Sequence, residues 1–287
     1  MDCEKCSSKA IFRNPTLCKD HFINYFEDKV KNTIKEYSLL DKKDKICVAA
    51  SGGKDSVSLL YILNKLGYDV TALAIDEGIT GYRNHTLAFL RNFCDENNIK
   101  LVIKSYQKEM GKKLDTVVPK GSPACHICGT FRRHLLNKYT NNFDKIATGH
   151  NLDDECQAVI MNIFKAQTKL LFRQGPITSK IEGFTRKVKP LYLLKEKEIM
   201  TYSFLKKLNT PFNECPYAKH SFRFKVRDLI NNMEYKKPGV KENIVRKYLD
   251  LRVVDENISV LNKCTGCGSP CNGNFCKACR LKEIINQ

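Results

Sequence analysis

Residues 46–63, ICVAASGGKDSVSLLYIL, constrain this chain more than any other stretch. Strand-prone and small residues, Ile46 to Ala50, run into Ser51-Gly52-Gly53-Lys54-Asp55-Ser56. Val57, Leu59, Leu60, Ile62 and Leu63 then recur at the spacing of a helix face. The pattern predicts a strand, a tight glycine turn and a helix start. Free backbone N–H groups at such a turn and the positive end of the helix dipole attract an anion, and Lys54 adds a point charge. The segment reads as a phosphate cradle rather than a glycine turn with a solvated lysine. Neither the GxxxxGK[ST] spacing of the nucleotide-triphosphatase loop nor the GxGxxG dinucleotide fingerprint is present.

Further strand-like runs fall at Val70 to Ile75, Ile99 to Ile103 and Lys145 to Thr148, separated by helix-like stretches at Thr86 to Asn97 and Phe131 to Tyr139. Strands alternating with helices predict an α/β fold, a parallel sheet with helices on both faces. Ligands of such sheets sit beyond the carboxyl ends of the strands. Three segments belong there: SGGKDS, Asp76-Glu77-Gly78, and Thr148 to Glu155, TGHNLDDE. The acids of the last segment stand where a helix should start. They serve as helix caps, or Asp153 or Asp154 holds Mg²⁺ against a triphosphate.

The 287 residues suit one large domain or a core with small appendages. Lys and Arg number 49 against 31 Asp and Glu, a formal charge of +18, which points to a polyanionic partner such as nucleic acid. No apolar run reaches membrane-spanning length and no signal segment follows the opening Met-Asp-Cys-Glu-Lys-Cys, so a cytoplasmic protein without a membrane partner is expected. The basic, aromatic stretch after residue 166 carries Arg173, Lys180, Arg186, Lys187 and Lys189 and is a candidate RNA-contacting surface, the alternative being a solvated loop with connecting helices. Two basic amphipathic helices are expected on either side of Pro238-Gly239.

Fourteen cysteines in a chain this long read as metal ligands rather than a disulfide scaffold. Cys3-x-x-Cys6 with Cys18-x-x-His21, and Cys264-x-x-Cys267 with Cys276-x-x-Cys279, each offer four soft ligands for a closed, structural zinc site. Cys271 is an extra thiol within the second group. Cys47, Cys94 and Cys156 fall on strand or helix patterns and are expected in the core. The central pair Cys125-x-x-Cys128 has no second pair nearby, only the distant Cys215 before Pro216. Three readings stand side by side: three ligands of an iron–sulfur cubane with one open iron, a redox or persulfide-carrying pair, and a third zinc site completed by His126 or water.

SGGKDS, Cys125-x-x-Cys128, TGHNLDDE, Cys215-Pro216 and the two terminal motifs occur in one order. Together they resemble the tRNA 2-thiouridine synthetases of the ATP pyrophosphatase-loop superfamily, in its archaeal and cytosolic-eukaryotic branch, over essentially the whole chain. The resemblance implies an adenine-nucleotide alpha hydrolase-like fold flanked by two zinc modules. It divides the chain into an N-terminal zinc module (1–24), a catalytic domain (25–180), a basic helical region that completes the site and contacts tRNA (181–258), and a C-terminal zinc ribbon (259–287). It implies an ATP-dependent tRNA-uridine 2-sulfurtransferase releasing AMP and pyrophosphate. ATP and Mg²⁺ would be held by Ala49, Ser51, Gly52, Gly53, Lys54, Asp55, Ser56, Ile75 and Gly149, and a 4Fe-4S cluster by Cys125, Cys128 and Cys215. Lys54, Arg132 and Asp154 would be catalytic, the latter two also lining the cofactor site. Two Zn²⁺ ions would complete the inventory. Many members have lysine where this chain has Arg132; a guanidinium keeps an electrostatic role and loses a proton-transfer one. The same resemblance implies sulfide or a ubiquitin-like carrier as sulfur donor, and a homodimer. The run CGTFRRHLL is closer to wobble-thiolating members, so the wobble uridine is expected. The alternatives are the T-loop uridine, cluster-free persulfide chemistry on the same cysteines, and a non-enzymatic zinc RNA-binding protein.

Overall fold

A computed structural model describes residues 1–118, 124–211, 214–218, 221–252 and 260–286. Helix α1 (Lys19–Glu36) leads into β1 (Lys45–Ala49), α2 (Lys54–Lys65), β2 (Asp69–Asp76), α3 (Arg83–Glu96) and β3 (Lys100–Ser105). Two short helices, α4 (Tyr106–Met110) and α5 (Leu114–Val117), precede α6 (Ala124–Lys138). Then come β4 (Lys145–Thr148), α7 (Leu152–Phe164), α8 (Thr168–Leu171), β5 (Arg186–Val188) and α9 (Glu196–Leu205). Helices α10 (Phe222–Lys236) and α11 (Val240–Leu251) precede a terminal β6 (Asn262–Lys263), β7 (Pro270–Cys271) and α12 (Lys277–Asn286).

The first five strands form one parallel sheet in the order β3-β2-β1-β4-β5. Val48 of the central strand pairs with Ala72 on one side and Ala147 on the other. Alternation along the strands sorts the side chains between two cores. Ile46 and Val48 of β1, with Val70, Ala72 and Ala74 of β2, pack under α1, α2, α3 and α9. Cys47, Leu73 and Ile75 face the opposite way, onto Tyr106, Phe131 and Leu135. Helices therefore cover both faces. Phe26 of α1 stacks on Tyr202 of α9 at 4.0 Å between ring centroids, closing the first core. A third core gathers Leu152 and Cys156 of α7 with Tyr192, Val226, Ile230 and Val245, seating α10 and α11 against α7.

Two departures from the expected elements matter for the site. Helix α6 begins at Ala124, ahead of the expected Phe131, so both central cysteines lie on its first turns. The basic stretch, a candidate RNA-contacting surface or else a solvated loop with connecting helices, contains β5, a three-residue edge strand paired with β4. Pairing consumes part of that stretch's charge: Lys189 donates to the buried Glu155 at 2.8 Å, and Arg186 Nε donates to Thr178 O at 3.0 Å. Helix α12 packs on α6, and Cys264, Cys271 and Cys276 share a core with Tyr106 and Phe131. No described helix is long and apolar enough to cross a membrane.

Candidate functional site

The glycine turn lies where β1 ends and α2 begins, at the carboxyl edge of the sheet. Its polar groups are wired together: Ser51 N and Oγ lie 3.1 Å from Ser56 Oγ, Ser56 Oγ donates to Gly53 O at 3.0 Å, and Gly53 N donates to Ser51 Oγ at 3.3 Å. Gly52 has φ +85°, and a Cβ there would meet Thr86 O at 2.6 Å, so the turn lies flush on the first turn of α3. Gly149 meets it from β4, where a Cβ would fall 2.9 Å from the backbone of Asp55 and Ser56. Gly149, expected close to nucleotide, thus packs on the backbone of the cradle.

Lys54 Nζ donates to Glu196 Oε1 at 2.7 Å and to Asp55 Oδ2 at 3.2 Å. Burial opposes its charge and the two carboxylates more than offset that, leaving its pKa raised. Burial lifts Asp55 to about 6, Lys54 only partly offsetting it while Asp154 and Glu196 add to the rise. Burial also raises Asp154, against the pull of Arg223, whose NH1 donates to Asp154 Oδ1 at 3.0 Å. A cavity of about 160 Å³ opens here, lined by Asp55, Asp154, Glu196, Asn151, Arg223 and Arg227 among others.

The three acids of TGHNLDDE part company. Asn151 caps α7 by accepting from Asp154 N at 3.0 Å, and the Asp154 side chain accepts in return from Asn151 N. Asp153 turns away from the cavity: it is paired with the buried Lys241 and accepts from Glu196 N at 2.8 Å. Glu155 is held by Lys189. Of the two aspartates considered for Mg²⁺, only Asp154 reaches the cavity, where Asp55 and Glu196 join it. His150 Nδ1 lies 2.9 Å from Thr148 Oγ1.

Cys125 and Cys128 stand one turn apart on α6, and Tyr106 OH donates to Cys128 O at 2.6 Å. The strand of chain after Cys215 docks on the same turn: Cys125 Sγ lies 3.9 Å from Tyr217 O, and Tyr217 OH donates to Asp115 Oδ1 at 2.8 Å. Burial pushes the Cys128 thiol up to about 11, with Glu77 raising and Arg132 lowering it. The trio does not close to single-ion spacing, unlike the terminal quartets, whose ligand atoms all lie within 4.8 Å of one another. Cys128 and Cys215 border one core, and a multi-iron cluster, unlike a single zinc, does not need its thiol ligands at single-ion spacing. Cys47, Cys94 and Cys156 are buried, as expected of core residues.

The terminal groups have a different geometry. Cys3, Cys6 and Cys18 Sγ lie 3.3–3.5 Å from His21 Nδ1, and Cys6 Sγ lies 3.8 Å from Cys18 Sγ. Cys267 Sγ lies 3.7 Å from Cys276 Sγ. A tetrahedron with zinc–sulfur bonds of about 2.3 Å has edges of about 3.8 Å, so both quartets fit a single tetrahedral ion. Cys271 stands outside the second quartet, its Sγ donating to Gly273 O at 3.2 Å.

Sequence reasoning passed over Arg83 and Tyr217, and put Glu77 at the ligand edge of the sheet without its partner. Arg83 is 3% exposed, and its NH1 donates to Ser51 O at 2.6 Å, binding α3 to the glycine turn. A buried Arg–Glu pair forms only once the chain has folded, and no local pattern announces it. The "DEG" run after β2 was the one visible trace.

A strand-turn-helix anion cradle at the carboxyl edge of a parallel sheet, with acids and a thiol trio beside it, defines a nucleotide-binding α/β protein. Residues 23–232 match the PP-loop domain family, and the chain belongs to that family. A tRNA-5-methyluridine(54) 2-sulfurtransferase of Pyrococcus horikoshii is 38% identical, over 100% of this chain and 96% of its own. The cytoplasmic tRNA 2-thiolation protein 1 of Drosophila mojavensis is 37% identical, over 100% and 89%. Among solved structures, the U34-tRNA thiolase NcsA from Methanococcus maripaludis, with its [4Fe-4S] cluster, superposes with a TM-score of 0.85 at 32% identity, covering 99% of this chain and 96% of that one.

Proposed function

We propose that this protein is a tRNA 2-thiolation sulfurtransferase that uses ATP to activate the C2 oxygen of the wobble uridine and replaces it with sulfur. One observation carries the reading: the glycine turn and the cysteine helix adjoin. Glu77 lies 2.8 Å from Arg83, which holds Ser51, and 4.0 Å from Arg132, one turn beyond Cys128.

In this reading Ala49, Ser51, Gly52, Gly53 and Ser56 cradle ATP, with Ile75 at the end of the neighbouring strand and Gly149 behind the turn. Lys54 exchanges Glu196 for phosphate, and Asp55 and Asp154 would hold Mg²⁺. The uridine O2 attacks the α-phosphorus, the bond to the bridging oxygen breaks, and pyrophosphate leaves. A sulfur nucleophile then attacks C2, and the C2–O bond breaks to release AMP. Arg132 stabilises negative charge developing at that step. A 4Fe-4S cluster on Cys125, Cys128 and Cys215, when bound, supplies an open iron to hold the incoming sulfur. Each terminal quartet would hold one Zn²⁺. Sulfide or a carrier protein delivers the sulfur, and the working unit is a cytoplasmic homodimer with the basic region 181–258 toward tRNA.

Anaerobic incubation with ATP, sulfide and an unmodified tRNA transcript tests this. The expected outcome is 2-thiouridine at position 34 with stoichiometric AMP and pyrophosphate, lost in a transcript carrying cytidine at 34. Thiolation confined to position 54 would move the assignment to the T-loop, the reading favoured by the Pyrococcus relative's name. Thiolation by a Cys215→Ala variant that binds no iron would instead favour persulfide chemistry.

A further inference from the structure

Both terminal nitrogens of Arg83 are hydrogen-bonded, and Nε forms a buried ion pair with Glu77 that lacks hydrogen-bond alignment. Nε faces Glu77 Oε2 at 2.8 Å, NH1 donates to Ser51 O at 2.6 Å and Thr86 Oγ1 at 3.1 Å, and NH2 donates to Ile75 O at 2.5 Å. This one guanidinium ties the end of β2, the first turn of α3 and the glycine turn together. Its counter-charge, Glu77, is 6% exposed and pinned at its backbone, where its carbonyl accepts from Leu114 N at 2.8 Å. The other carboxylate oxygen faces Arg132 NH1 at 4.0 Å, and among the described residues Arg132 has no other carboxylate within that distance. Arg132 rides on α6 with Cys125 and Cys128.

We propose that Glu77 is a positioning residue coupling the nucleotide turn to the cysteine helix by charge, one oxygen ion-paired with Arg83 and the other facing Arg132. The proposal rests on the two-step reaction above, in which nucleotide and sulfur must meet at one uridine. A carboxylate shared by two guanidiniums keeps like charges close that would otherwise repel. Because the turn lies flush on Thr86, displacing Arg83 displaces the turn. Ordering of the turn by nucleotide therefore reaches α6 through Glu77.

The test uses the full chain without its cluster. Affinity for a fluorescent, non-hydrolysable ATP analogue and hydrogen exchange of α6 amides, with and without saturating analogue, are measured in wild type, Glu77→Gln and Arg132→Ala. The expected results are analogue-dependent protection of α6 in wild type, its loss in both variants, and binding weakened about tenfold or more in Glu77→Gln. A Glu77 that only neutralised Arg83 would weaken binding and leave the protection of α6 in place, which overturns the coupling. Wild-type α6 indifferent to the analogue overturns it as well. Should Glu77→Gln not melt cooperatively, Arg132→Ala decides alone, since it cuts the outer arm and spares the buried pair. A wild type that made no 2-thiouridine would refute the reaction while these readouts still judged Glu77.

Discussion

The ammonium of Lys54 sits 2.7 Å from the carboxylate of Glu196, so the cradle's lysine is occupied by α9 until an anion competes for it. A phosphate bound at Lys54 would have to displace that carboxylate. Lys54→Ala should lower ATP-dependent pyrophosphate release by about 10²- to 10³-fold, the scale of losing one preorganised charge-stabilising donor. Glu196→Gln should tighten binding of ATP analogue in the absence of Mg²⁺. Pyrophosphate release unaffected by Lys54→Ala would exclude the lysine from the chemistry.

Asp55 titrates near pH 6 because burial disfavours its charge. The folded chain then holds this proton more tightly than the unfolded chain does. Ligand-free stability falls as pH rises from the ordinary carboxylate range through about 6, and the penalty is complete above it. Asp55→Asn should therefore raise Tm at pH 8 and leave it unchanged at pH 4. Mg²⁺-dependent ATP binding should weaken as pH drops through about 6 in wild type. A binding profile flat across that range would remove Asp55 from the Mg²⁺ site.

Gly149 approaches the cradle from β4 with no room for a methyl group. The neighbours a Cβ would meet are backbone atoms of Asp55 and Ser56, which cannot rotate aside. Gly149→Ala should cost ~1–3 kcal/mol in chemical denaturation, the range for forcing an extra carbon into packed structure. The apparent KM for ATP should rise in the same variant. Wild-type stability would show that β4 shifts freely against the turn.

The zinc reading of the quartets predicts about two Zn²⁺ per chain. Cys264→Ser should hold one fewer and, because Cys264 packs in a core with Tyr106 and Phe131, should also retain less iron after anaerobic reconstitution. Full iron with one zinc missing would make the ribbon dispensable to the cysteine helix.

The sheet was legible wherever a strand or helix carried its own periodicity. β1, the glycine turn, α2 and β4 fall where apolar spacing places them, and Pro238-Gly239 separates α10 from α11. β5 escaped because three residues, Arg186 to Val188, are too few to show alternation, and two of them are cationic. The first turns of α6 escaped because Cys, His and Gly are indifferent helix formers; tertiary packing of Phe131 and Leu135 holds that helix. In the site, ligand types were legible and their partners were not. Three consecutive acids look alike on paper, yet Lys241 and Lys189 claim Asp153 and Glu155, leaving Asp154 alone to face the cavity.

The packing of α12 onto α6 also has a consequence for the order in which the chain can be completed during synthesis. The residues that back the cysteine helix leave the ribosome long after the helix itself. Until they emerge, Tyr106 and Phe131 lack part of their core, and Cys125 and Cys128 ride on an unsupported helix. A sheet formed before that point would flank the nucleotide turn while the cysteine helix still lacked its C-terminal partners. Iron delivered during that window would meet a loose pair of cysteines; iron delivered after release would meet a finished site.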